Sequence, residues 1–271
     1  METDKIIFID FGLFMFTGIF SSMNSKMIPT YTTMSMIMGN LKRVGMTENT
    51  KVIIAVDSKK GSWRKGLDSN YKANRKESRD KYDFDWKTWF KKYNNLINNI
   101  EVSTPFYTIE IEKLEADDII AVGCKYFKDT ECIIVSSDAD YEQLMAYGNV
   151  KIFSPKSKQY KVVKNPYGLL AKKIKKEASD NLITPILNEK DYEIRNTIVN
   201  LIELPEWVNT SVISQISVLP EKDFNTNLIC FSSIKDRFKE IYLKDKVVDY
   251  EKSINRIIKK KKKRKEKSLF K

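Results

Sequence analysis

Histidine is absent from all 271 residues. That single absence removes Ser-His-Asp and Cys-His triads, imidazole acid–base catalysis and the usual zinc sites. Cysteine is scarce: Cys124, Cys132 and Cys230 show no C-x-x-C spacing. They read as buried thiols rather than a disulfide framework or a zinc site. Neither G-x-x-x-x-G-K-[ST] nor G-x-G-x-x-G occurs, so a P-loop and a dinucleotide fingerprint are both missing. The first strand ends FIDFG, without the D-x-D that a phosphatase of the haloacid-dehalogenase type needs there. The most apolar N-terminal stretch, IIFIDFGLFMFTGIF (6–20), is too short for a membrane span and contains Asp10. No basic region with a cleavage site precedes it. The expectation is a cytoplasmic protein with no membrane partner.

What is present is an ordinary globular composition, 42% hydrophobic and 31% charged, in a chain long enough for one large domain or two small ones. The formal net charge of +12 is unevenly placed. The last stretch, RIIKKKKKRKEKSLFK (256–271), carries most of it and leaves the body nearly balanced. Seven consecutive basic residues repel one another, so this tail is expected to be disordered and to seek a polyanion, nucleic acid first and an anionic membrane surface second.

Short apolar runs mark strands at 5–9, 51–56, 106–111 and 131–137, with a hairpin over 150–154 and 158–163. Helices are expected near 27–43 and over 115–127, and the chain turns helical from about 165. Strands alternating with helices argue for a mainly parallel sheet flanked by helices. Three of these strands run into aspartates: Asp10, Asp57 and Asp138. In a parallel sheet those ends share one edge, where open α/β sheets bind their ligands. KLEADDII adds Glu115, Asp117 and Asp118, and SSDAD adds Asp140. Loop turns and helix N-termini use one or two such acids structurally, but not this many on one edge. With no histidine and no paired arginine in these segments, the expected neutralising partners are metal ions. Two magnesium-type ions about 4 Å apart, with manganese able to substitute, suit a phosphodiester substrate.

Asp10, Asp57, EADD (115–118), SDAD (137–140) and YKANR (71–75) together resemble the 5′-nuclease (flap endonuclease/5′→3′ exonuclease) superfamily. GSWR (61–64), YKANRK (71–76), DW (85–86), SSDADYEQL (136–144) and NVKIFSP (149–155) are most similar to its branch of ribonucleases H from T-even-type bacteriophages. The resemblance covers about 5–182. It implies a PIN-like α/β domain with a helical arch, a helix–three-turn–helix for duplex DNA, and metal-dependent removal of 5′ flaps, RNA primers and adjacent 5′ nucleotides during replication.

By that resemblance Asp10, Asp57, Glu115, Asp117, Asp118, Asp138 and Asp140 are metal-site carboxylates. Asp180 and Asn181 match the family's D-N pair. Glu177 stands where an aspartate is usual, which weakens a second-metal role for it. Lys72 and Arg75, i and i+3 if helical, would neutralise the scissile phosphate. Tyr71 could stack on a base. Arg64 and Lys76 join Tyr71, Lys72 and Arg75 as expected nucleic-acid contacts. Trp63, Trp86 and Trp89 are expected to pack the arch.

The expected organisation is a nuclease domain over 1–165 with its arch near 58–100, a helical region over 166–255, and the basic tail. Glycine does not recur after Gly168, so the glycine-rich DNA-binding turn is expected to be reduced or lost. KSLF (267–270) faintly resembles terminal peptides that dock on sliding clamps; a clamp or a single-strand-binding protein is a conceivable partner of a monomer. The residues leave two alternatives: a nucleic-acid-binding relative without activity, and a PIN-type ribonuclease for single-stranded RNA.

Overall fold

The central strands of the sheet are buried on both faces and the edge strands are not. The computed structural model describes residues 3–23, 25, 27–82, 84–175, 182, 186–222, 229 and 231–242, without the side chains of 76, 78 and 242. Among them, β1 (Lys5–Asp10), β2 (Thr50–Val56), β3 (Tyr107–Glu110), β4 (Glu131–Val135), β5 (Val150–Ser154) and β6 (Gln159–Tyr160) form one sheet. Its order is β3-β2-β1-β4-β5-β6, all parallel except the β5–β6 hairpin. Of the expected second hairpin strand only Gln159 and Tyr160 pair.

Side chains alternate strictly across the central strands. Ile6 and Phe8 of β1 join one core with Ile53, Ala55, Cys132 and Ile134, while Ile7 and Ile9 join the other with Ile54, Ile133 and Val135. Both faces are apolar, so the strands read as continuous hydrophobic runs. The first core is covered by α5 (Ala116–Tyr126) and α8 (Glu206–Ile216). The approach of α5 depends on Gly123: an added Cβ would lie 2.6 Å from the Phe8 ring. The second core is covered by α1 (Phe11–Met23), α2 (Pro29–Arg43), α4 (Trp86–Ser103) and α9 (Ser232–Tyr242). Residues 11–23 are helical although no helix was expected there. The run is apolar on nearly every side, so it carries no 3.6-residue period to betray it.

Three further helices complete the described helices around the sheet. α3 (Asn74–Asp80) precedes α4, and together they occupy the segment expected to be an arch. α6 (Pro166–Lys175) and α7 (Glu189–Val199) follow β6. Packing does not divide at 165, because Leu201, Val208 and Val212 enter the first core and Ile234 and Phe238 the second. Glu177, Asp180, Asn181, Cys230, the basic tail and KSLF lie outside the described residues. Among the described residues no helix is long and apolar enough to cross a membrane.

Candidate metal centre and nucleic-acid groove

The chain builds β3, β2 and β1 on one side and then returns through β4 on the other side of β1. This reversal opens a crevice at the carboxyl ends of β1 and β4, where α/β sheets take ligands. Asp10 is the last residue of β1, Asp57 follows β2, and Asp138 follows β4. Asp117 enters from the first turn of α5.

These four carboxylates are held by light polar contacts. Asp10 accepts from Leu13 N at 3.3 Å, Asp57 from Ala116 N at 2.8 Å, and Asp138 from Asp140 N at 2.9 Å. The Tyr141 hydroxyl lies 2.7 Å from Asp117 Oδ1 and 3.3 Å from Asp10 Oδ2, tying β1 to α5. Gly12 keeps the space between Asp10 and Asp57 open: a Cβ there would stand 3.4 Å from Asp10 Oδ1 and 3.5 Å from Asp57 Oδ2. Among the described residues none of the four makes an ion pair. Asp10 is pushed up to about 7, by burial first and then by the charge of Asp57. Asp117 is pushed up to about 8, by burial first, with Asp10, Glu115 and Asp138 adding to it against Lys72.

The other three expected ligands, Glu115, Asp118 and Asp140, are ion-paired with basic side chains, and Arg64 is a paired arginine that the sequence reading did not expect. Asp118 is fully buried; it accepts from Arg64 Nη2 at 2.7 Å, Arg64 Nη1 and Trp63 Nε1 each at 3.0 Å, and Glu115 N at 2.9 Å. Glu115 accepts from Lys72 Nζ at 2.7 Å, and from Arg64 Nη1 and Tyr71 Oη each at 3.0 Å. Burial would raise its carboxyl, but Lys72 and Arg64 outweigh that and hold it below its ordinary value. Asp140 is ion-paired with Lys173 of α6.

Several expected nucleic-acid contacts move inward for the same reason. Arg64 is 1% exposed and Tyr71 4%, with Tyr71 still lining the groove. Arg64 also donates from Nε to Ile198 O at 2.8 Å, fastening the end of α7 to the site. Lys72 is not helical and shares no helix face with Arg75: it sits at φ +54° before α3 begins at Asn74. Its ammonium still borders the crevice, where burial is outweighed by Asp117, Tyr71 and Glu115 and the group stays charged. The Lys76 side chain lies outside the described residues. Trp86 and Trp89 pack the arch against Phe84, whereas Trp63 meets Trp207 of α8 edge-on, with ring centroids 5.9 Å apart.

Beyond the crevice runs a groove of about 1220 Å³ between α1, the 58–65 loop, α3 and α4. Asp57 and Glu115 are its acidic lining residues, against Lys59, Lys65, Lys72, Arg75, Arg79 and Lys81. Phe20 and Tyr82, both exposed, meet across it with centroids 5.1 Å apart. Tyr141, Lys161 and Gln143 make polar contacts around the site that motif reading passes over. Lys161 donates to Ser137 O at 3.2 Å, Asp138 O at 2.9 Å and Glu142 Oε1 at 2.8 Å, and Gln143 clamps Val199 O and Leu201 N. Tyr141 and Gln143 stand at the end of the SSDADYEQL motif, and Lys161 lies in none of these motifs.

The model of the 5′-3′ exonuclease N-terminal resolvase-like domain matches residues 5–178, more than half of the chain. The chain belongs to this family. It is 33% identical over 149 residues to ribonuclease H of Enterobacteria phage T4, a match covering 53% of this chain. The chain spans about half of that relative's length, 49%. Solved structures of the 5′-nuclease of bacteriophage T5 share the fold. One co-crystallised with metal ions gives a TM-score of 0.56 at 17% identity, covering 88% of this chain and 99% of its own. The T5 flap endonuclease in a complex with DNA and metal ions gives 0.52 at 21%, covering 90% and 91%.

The donor set fits hard divalent cations. Asp10, Asp57, Asp117 and Asp138 offer carboxylate oxygens alone, and the two inner ones are forced toward the neutral form without a counter-charge. Among the described residues no three acidic side chains form one closed ligand cluster.

Proposed function

We propose that this member of the 5′-3′ exonuclease family is a metal-dependent 5′-nuclease that hydrolyses phosphodiester bonds at 5′ ends or flaps of DNA and of RNA–DNA hybrids, as primer removal in phage DNA replication requires. The observation that carries the reading is the set Asp10, Asp57, Asp117 and Asp138, which make no ion pair among the described residues and stand at the sheet's switch point, with Asp57 lining the basic groove. The similar proteins, a ribonuclease H and a flap endonuclease, agree with it.

Magnesium ions held by these four carboxylates would supply a water of lowered pKa and neutralise the departing oxygen. The protein's own groups do the rest. Lys72 and Arg75 border the crevice where the scissile phosphate must lie, and fixed cations there favour the more charged transition state. Glu115 orients Lys72, and its second oxygen is held by Arg64 and Tyr71. Tyr141 keeps Asp10 and Asp117 in register. The groove draws in a single strand by charge and by the exposed rings of Phe20 and Tyr82.

The test is cleavage of three 5′-labelled substrates, a DNA flap, a nicked duplex and an RNA–DNA hybrid, in magnesium and in EDTA. Magnesium-dependent release of short 5′ products that disappears in Asp138→Asn supports the reading. Tight binding of all three without cleavage in magnesium or manganese sinks it and leaves a DNA-binding relative.

A further inference from the structure

We propose that Gln143 is a positioning residue for the carboxylate site: with Arg64 it braces the two sides of that site against the end of α7 and so sets the separation of Asp138 from Asp117. The proposal rests on the metal-dependent nuclease reading above. It starts from the last carbonyls of α7, which have no partner within their own helix. Ile198 and Val199 are buried, and buried backbone groups must find partners elsewhere. Two side chains from the carboxylate site supply them. Ile198 O accepts from Arg64 Nε at 2.8 Å, and Val199 O accepts from Gln143 Nε2 at 3.1 Å. Gln143 Oε1 accepts in turn from Leu201 N at 2.9 Å.

The two arms lead to opposite sides of the crevice. Gln143 is 2% exposed and belongs to the 3₁₀ helix Asp140–Tyr147, whose first amide donates to Asp138 Oδ1 at 2.9 Å. Arg64 holds Glu115 and Asp118, which flank Asp117 at the start of α5. Ile198 and Val199 also pack with Tyr71, another partner of Glu115. Asn200 locks the turn that carries both arms, accepting from Ile202 N at 2.9 Å and from Glu203 N at 3.0 Å. Neighbouring carbonyls of one turn thus hold Asp138 and Asp117 relative to each other. Neither Gln143 nor residues 198–203 line the groove, so the brace acts through the carboxylates rather than on a substrate.

The chemistry gives such a brace a use. A magnesium-type ion demands near-ideal octahedral geometry, so carboxylates that share its surroundings tolerate little drift in their spacing. Asp117 and Asp138 come from different elements, and as like charges they repel each other until a cation arrives. The Tyr141 hydroxyl ties Asp117 to Asp10, and Gln143 adds a tie on the Asp138 side. The plain alternative is that Gln143 only satisfies the end of a helix. Losing it would then lower stability and nothing else, and a control that breaks buried hydrogen bonds elsewhere separates the two.

The experiment compares full-length wild type with Gln143→Met, which keeps the length of the side chain and removes both bonds. The control is Thr104→Val. Thr104 is 1% exposed, donates to Ile100 O at 2.7 Å, accepts from Phe106 N at 3.2 Å and lies before the amino end of β3, away from the carboxylate edge. Manganese affinity is read by calorimetry, kcat and KM on a 5′ DNA flap in limiting magnesium, and stability from urea denaturation. Gln143→Met is expected to weaken manganese binding about tenfold or more and to lower kcat by a similar factor, with KM for the flap within about twofold of wild type. Thr104→Val is expected to lose stability while its manganese affinity stays within about twofold of wild type. Unchanged manganese affinity in Gln143→Met, an equal loss in Thr104→Val, or a loss confined to KM overturns the proposal. Gln143→Asn, one methylene shorter, is carried in parallel so that a folded variant is measured, and wild-type manganese affinity in it also overturns the proposal. Wild type that binds manganese but cleaves nothing overturns the nuclease reading, while a manganese loss in Gln143→Met still supports the brace. Wild type that binds no manganese overturns both.

Discussion

Arg64 and Asp118 form a two-pronged ion pair beneath the candidate metal centre, Nη2 to Oδ1 at 2.7 Å and Nη1 to Oδ2 at 3.0 Å, with Arg64 1% exposed and Asp118 fully buried. Removing one partner leaves the other charge buried without compensation, which costs about 3–5 kcal/mol. Arg64→Met is therefore expected to lower stability by about that amount, read from urea denaturation. Replacing both, Arg64→Met with Asp118→Leu, is expected to recover part of the loss. A double variant as unstable as the sum of the singles would contradict the pairing.

Tyr141→Phe keeps the ring in the core and removes the hydroxyl shared by Asp117 and Asp10. Groups that orient metal ligands typically govern about 10–100-fold in metal affinity or activity. The expected result is a magnesium requirement raised about tenfold or more, with a native-like melting curve. An unchanged magnesium titration would show that the hydroxyl positions nothing.

The strands and their edge were legible because each run of β-branched residues ends in an acid, as at Ile9-Asp10 and Val56-Asp57. What sequence could not show was which acids find internal partners. Arg64 lies far from Asp118 in the chain, and nothing local marks it as buried; only the tertiary approach of the 61–66 turn to α5 brings them together. Lys72 was misplaced because YKANR carries helix-forming residues, yet its tie to Glu115 is made with the backbone at φ +54°. Tyr141 and Lys161 carry no local signature, since a tyrosine or a lysine is not marked out until its acceptors are known.

Lys161 gathers the carbonyls of Ser137 and Asp138 under one ammonium. Lys161→Met is expected to lower kcat by about tenfold or more while leaving KM for nucleic acid nearly unchanged, and Lys161→Arg to restore part of it. A loss confined to KM would mean that Lys161 serves substrate binding instead.

Asp10 and Asp117, pushed up to about 7 and about 8, hold protons in the folded chain that the unfolded chain has already released. Unfolded carboxyls titrate near pH 4, so metal-free protein is expected to lose stability as pH rises from about 4 to about 8. Magnesium should reverse this at the alkaline end, since it binds the ionised carboxylates of the folded state only. Melting temperatures in EDTA and in magnesium across this range check both signs.

The most direct test of the centre itself is manganese binding followed by calorimetry in wild type, Asp10→Asn with Asp117→Asn, and Asp140→Asn. Saturable binding that is lost in the Asp10/Asp117 variant and kept in Asp140→Asn is the predicted result. Binding that survives loss of Asp10 and Asp117, or that vanishes with Asp140 alone, would contradict the assignment of the metal centre to the four unpaired carboxylates.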